Sequence, residues 1–115
     1  MSDRLILYST DLMLISSAGH AARQAGLEFQ SVMSSESAIP HLQHPETLFC
    51  LDLSTAGADP QSLAAHSIPQ VLSRAIAFGP HVHTARLDAA RSAGFGTVLA
   101  RGQFVSQLQS GRLLE

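Results

Sequence analysis

Charge is scarce in this chain, and so is cysteine. Only 14% of its 115 residues are charged against 45% hydrophobic, which excludes a disordered polyelectrolyte and describes a globular composition. Nine acidic residues outnumber seven basic ones, the net charge is −2 and the isoelectric point is near 6.3, so no basic field recommends nucleic acid or an anionic membrane. The single cysteine, Cys50, cannot close an internal disulfide, which fits a reducing compartment. After Asp3 and Arg4 the apolar run Leu5 to Tyr8 is too short for a signal-peptide core or a membrane span. No G-x-G-x-x-G follows that run, and Gly94-Phe95-Gly96 falls between a helix and a strand, the wrong side for a phosphate cradle. No Ser-His-Asp or Cys-His signature is present. The expectation is a soluble cytoplasmic domain, not an enzyme, occupying residues 1–115 as one unit.

What is present is a strand-then-helix rhythm, repeated five times. Leu5 to Tyr8 reads as a buried strand, with Ser9 and Thr10 as hydroxyl caps for a helix from Asp11 to Gln24 that turns Leu12, Ile15, Gly19 and Ala22 to one side. Leu27 to Met33 reads as a second strand, and Ser34 to Gln43 as a helix that Pro40 interrupts. Thr47 to Leu53 is a continuous apolar run ending on one carboxylate, Asp52. A loop of small residues, Ser54 to Ala58, leads to Asp59 as a cap, Pro60 at a first helical position and a short helix around Leu63. Ser67 to Leu72 reads as a connector, Arg74 to Phe78 as the fourth strand and His83 to Ala93 as a helix with Leu87 and Ala90 inward, stopped by Gly94. Thr97 to Ala100 is the fifth strand, and Gln103 to Gln109 a closing helix with Phe104, Val105 and Leu108 near one side.

Mostly apolar strands alternating with helices predict an α/β fold with a parallel sheet covered on both faces. Right-handed crossovers at this size point to a three-layer, flavodoxin-like (βα)5 arrangement with strand order 2-1-3-4-5. Functional groups of such a sheet gather at the carboxyl ends of its strands, which is where Asp52 stands.

Three segments carry a resemblance beyond the rhythm: Ala75-Ile76-Ala77-Phe78-Gly79-Pro80-His81, then Arg86-Leu87-Asp88-Ala89-Ala90-Arg91-Ser92-Ala93-Gly94, then Val98-Leu99-Ala100-Arg101. In order and spacing the chain resembles a bacterial response regulator receiver domain over nearly its full length. The resemblance implies a signal-transduction module of two-component systems, with Asp52 at the position of the phosphoacceptor. It also implies Mg²⁺ held by an acidic pair after the first strand, and here Ser9 and Thr10 stand in those places with Asp11 next in line. The family's hydroxyl after the fourth strand corresponds to Gly79, its lysine after the fifth to Arg101, and its switching aromatic to Val98. The aspartate and one positive charge are what remain of the phosphorylation apparatus, so the expectation is a pseudo-receiver with no cofactor. By resemblance it would pair with another protein or a second copy through the fourth helix, fifth strand and fifth helix, around His83 to Gln109.

Two other functions fit the same residues. In a divergent working receiver, Asp11 and Asp52 hold Mg²⁺ and Arg101 binds the phosphoryl group. In a small-anion or metal sensor, Arg101, Ser9, Thr10 and the His81/His83 loop make the contacts. A bland reading stands beside each: Asp52 as a solvated strand-end carboxylate bridged to Arg101, His81 and His83 as ordinary loop residues that His41 and His44 do not join, His20 and His66 as polar-face residues, and Cys50 as a buried small hydrophobe.

Overall fold

The rhythm becomes one parallel sheet in the computed structural model, which describes residues 2–114; Met1 and Glu115, the ends of the expected domain, lie outside the described residues. The strands are β1 (Arg4–Tyr8), β2 (Glu28–Val32), β3 (Thr47–Asp52), β4 (Ile76–Gly79) and β5 (Thr97–Ala100). They lie in the expected order β2-β1-β3-β4-β5, every neighbouring pair parallel. The helices are α1 (Leu12–Gln24), α2 (Ser35–Leu42), α3 (Pro60–Ala65), the single turn α4 (Pro69–Leu72), α5 (Thr84–Ala93) and α6 (Arg101–Ser110), with a 3-10 turn at Arg112–Leu114.

Because successive strand residues point to opposite faces, the apolar strands feed two cores. Leu5, Leu7, Cys50, Ile76 and Phe78 pack under α1 and α6, against Leu14, Ala18, Phe104 and Leu108. Ile6, Tyr8, Phe49, Leu51 and Ala77 pack on the other side, against Leu42, Leu63, Leu87 and Ala90. Phe78 and Phe104 stack with centroids 3.8 Å apart at 7°, seating α6 on β4. Such a pair contributes about 0.5–1.5 kcal/mol beyond its buried area. All six residues of β3 are buried, as its unbroken apolar run predicts.

Several boundaries differ from the sequence reading. Asp11, not Ser9 or Thr10, caps α1, accepting from the Leu14 N–H at 3.1 Å. Of the expected inward positions of α1, Gly19 and Ala22 are buried and Ile15 packs against the core; Leu14 and Ala18 join them, while Leu12 is 75% exposed. Gly19 permits the close approach of α1 to β2, since a Cβ there would lie 3.3 Å from the Phe29 ring. Pro40 sits inside α2 without breaking it; Ser34 caps that helix through the Ser37 N–H, and it ends after eight residues. The expected connector before β4 contains the turn α4, begun by Pro69. β4 is shifted to Ile76–Gly79, so Gly79 pairs with Ala100 as a strand residue. α6 starts two residues early, at Arg101, because the Gln103 side chain reaches back to the Ala100 N–H at 3.0 Å. Among the described residues no helix is long and apolar enough to cross a membrane.

Candidate functional site

The carboxyl ends of β1, β3 and β5 bring together four of the residues singled out from sequence: Ser9, Asp11, Asp52 and Arg101. Asp52, the last residue of β3, is only 3% exposed, so the expected solvated carboxylate is corrected to a buried one. Burial of a carboxylate requires that its oxygens be satisfied, and here they are. Ser9, buried at the end of β1, donates its hydroxyl to Oδ2 at 2.7 Å, and the Ser54 N–H donates to Oδ1 at 3.0 Å. Ser9 Oγ in turn accepts the Asp11 N–H at 3.1 Å, which holds its proton toward Asp52. Thr10, by contrast, is exposed and takes no part.

Arg101 enters from the first residue of α6. Its Nη2 donates to Asp11 Oδ2, and its Nη1 lies 4.0 Å from Asp52 Oδ2. The bridge foreseen between Asp52 and Arg101 is therefore present, but the nearer partner of the guanidinium is Asp11. The Leu14 N–H first, and then Arg101, hold the Asp11 carboxyl below the usual carboxylate range. One guanidinium thus spans two carboxylates that come from different corners of the sheet.

The side chain lost at Gly79 has not left an opening. A Cβ built at Gly79 would lie 3.3 Å from the Leu53 Cβ and 4.0 Å from Leu87 Cδ2, so a side chain there would crowd Leu53. Val98, paired with Ala77, is partly buried and packs against the core beneath α5. Two contributors were not legible in the sequence. Leu53 reads only as the end of a strand, and Arg86, exposed on α5, donates through Nη1 to the Leu53 carbonyl at 2.7 Å. Thr55, in the loop after β3, is buried with an unpartnered hydroxyl.

The histidines do not converge. His81 and His83 are exposed in the loop before α5, at the carboxyl end of the sheet. His44 lies at the opposite end, with Nε2 3.3 Å from Arg4 Nη2 beside the start of β1, and burial first of all lowers the pKa of its neighbour His41. His66 contacts the Ser62 carbonyl within its own turn, and His20 is exposed on α1. Among the described residues no group of three or more His, Cys, Asp or Glu is placed to hold a metal ion. Cys50 is fully buried under α1, and burial pushes its thiol up to about 12.

No protein-family model matches the chain, and no curated protein matches it in sequence. Solved structures do match it in shape. A putative response regulator from Chloroflexus aurantiacus superimposes with a TM-score of 0.71 at 17% identity, covering 100% of both chains. The receiver domain of a sensor histidine kinase from Pseudomonas aeruginosa, with a magnesium ion coordinated in its active site cleft, gives 0.71 at 13% identity, also over 100% of both chains. A phosphorylated cyanobacterial phytochrome response regulator gives 0.72 at 15% identity, over 100% of this chain and 92% of that one. Identities this low speak for architecture, and in architecture, strand order and full-length superposition this chain has the fold of a response regulator receiver domain.

Proposed function

We propose that the chain is a pseudo-receiver: a signalling module that works by binding another protein or a second copy of itself, without accepting a phosphoryl group. The observation that carries this reading is the occupancy of Asp52. Its Oδ2, the atom nearest the neighbouring groups of the crevice, already accepts the Ser9 hydroxyl, at a position where the family places an acid. Phosphoryl transfer to a carboxylate depends on charge neutralisation by Mg²⁺ and on preorganised donors around the moving group. The residues present do not fit Mg²⁺. Of the two carboxylates, Asp11 is committed to a helix cap and an arginine, and Asp52 to a hydroxyl and a backbone N–H. Gly79 offers no phosphoryl-binding hydroxyl, and Leu53 crowds the position where its Cβ would stand. No residue of the crevice is assigned a catalytic role.

Exposed apolar side chains support the binding half of the proposal. Among the described residues, the large hydrophobic side chains that stand clear of the core are Leu12, Met13, Met33 and Val82, all at the carboxyl end of the sheet. They rim the crevice, and only Val82 adjoins the surface of α5, β5 and α6 expected from resemblance to bind partners. The rim is therefore the better candidate surface, with the α5–β5–α6 face second. A cytoplasmic location follows from this role and is proposed with it.

A divergent working receiver is retained as a second reading on one observation: Asp11 and Asp52 do converge, since both reach the same guanidinium. The anion-sensor reading gains no such support, because Arg101 is engaged, and Thr10, His81 and His83 are exposed. The test is incubation with Mg²⁺ and acetyl phosphate, followed by intact-protein mass spectrometry. The expected result is an unmodified chain; a stoichiometric adduct lost in Asp52→Asn would overturn the proposal in favour of the second reading. Because Asp52 is buried and presents no surface of its own to a partner, the same Asp52→Asn change is expected to leave the affinity for a copurified partner within about 0.5 kcal/mol.

A further inference from the structure

The guanidinium of Arg101 is planar, permanently charged and able to donate through two separate nitrogens, so it can serve two carboxylates at once. Here Nη2 donates to Asp11, while Nη1 lies 4.0 Å from Asp52 Oδ2, within ion-pair reach but beyond a hydrogen bond. A lysine has one nitrogen and would have to choose between them, and the chain contains no lysine at all. The two acids come from the cap of α1 and the tip of β3, and the cation from the first residue of α6.

We infer that Arg101 is the resident cation of this crevice, holding by its guanidinium the place between Asp11 and Asp52 that a divalent ion would need. A divalent ion can reach both carboxylates only after the Asp11–Arg101 bridge opens and the guanidinium swings away, because a second positive charge a few ångströms from the first is repelled. This inference rests on the pseudo-receiver reading and deepens it: the residue at the place of the family's lysine here lies between the two carboxylates that a divalent ion would need. Neutralisation is then constant, independent of the divalent ion concentration.

The experiment titrates Mn²⁺ alone, with no phosphodonor, into ¹⁵N-labelled protein and follows paramagnetic broadening of the Asp11 and Ser54 amide signals. Arg101→Gln should bind Mn²⁺ at least about tenfold more tightly than the native chain, since both the bridge and the repulsion are gone. Arg101→Lys should fall between the two, and Asp11→Asn added to Arg101→Gln should abolish the gain. Equal Mn²⁺ affinity in the native chain and Arg101→Gln would overturn the inference. Should Arg101→Gln fail to fold, Arg101→Lys decides, and an affinity no higher than native overturns it equally. The two readings fail separately: a phosphoryl adduct on the native chain defeats the pseudo-receiver reading, whereas only the Mn²⁺ comparison defeats the resident cation.

Discussion

Asp11 does two separable jobs, and replacing it in two ways should separate them. Its Oδ1 caps α1 through the Leu14 N–H, and its Oδ2 accepts from Arg101. Asparagine caps a helix about as well as aspartate, so Asp11→Asn keeps the first job and loses the charge; Asp11→Ala loses both. Loss of a cap costs about 1 kcal/mol. The ion pair, with side chains 34% and 38% exposed, contributes roughly 0.2–1 kcal/mol after solvent screening. Asp11→Asn should therefore destabilise by about 0.5 kcal/mol and Asp11→Ala by about 1.5 kcal/mol, the latter lowering Tm by roughly 5–10 °C for a chain of this size. The dependence on pH fixes the sign. Because the folded-state pKa of Asp11 lies below its ordinary value of 3.8, its ionisation stabilises the fold at higher pH. That stabilisation is lost as the pH falls below the unfolded value and through the folded one. Urea denaturation followed by circular dichroism from pH 7 downward should show native and Asp11→Asn stabilities converging in acid, with Asp11→Ala still weaker. If Asp11→Asn proves as costly as Asp11→Ala, or if its deficit persists unchanged in acid, the division of roles is wrong.

Restoring a hydroxyl by Gly79→Ser should destabilise the fold by about 1–2 kcal/mol, because the new Cβ meets the Leu53 Cβ at 3.3 Å and β4 cannot withdraw; equal or higher stability in urea would show that the space is free. Gly96→Ala should be more damaging, about 3 kcal/mol or greater, since its Cβ would fall 1.9 Å from the Ser73 carbonyl oxygen. A soluble, native-like variant with unchanged Tm would contradict that. Cys50, fully buried with its thiol pKa raised to about 12, should resist Ellman's reagent until the chain unfolds; prompt stoichiometric labelling without denaturant would count against the placement of β3.

The sequence carries the architecture well for a definite reason: a strand buried on both faces needs an unbroken apolar run, and Thr47 to Asp52 is legible as one to within a residue, while the edge strand Thr97 to Ala100, exposed or half-buried throughout, is marked by the glycine before it and the helix after it. The start of α6 is not legible, because Ala100 offers no capping side chain and the cap comes from Gln103, three residues inside. At α1 the expected inward side holds at Ile15, Gly19 and Ala22 and fails at Leu12. Two hydroxyls preceding Asp11 look like caps, but the cap is Asp11, and Leu14 is buried while Leu12 is exposed. At the site, Asp52 and Arg101 were visible one by one, but the burial of Asp52 depends on Ser9 arriving from a strand 43 residues away, a relation no local pattern encodes. Nor could Gly79 announce that Leu53 would crowd the place of its missing side chain; an absent side chain marks a gap only until its neighbours are known.

The bond from Arg86 to the Leu53 carbonyl gives α5 a mechanical property. One end of this tie is fixed to the helix, and the other to the residue that follows Asp52 and rests on Gly79. A load that draws α5 along the sheet is passed directly to the tip of β3, like the pull of a guy rope on the head of a mast. The loop carrying Ser54 and Thr55 leaves from that same point, so this one bond ties α5 to the floor of the crevice.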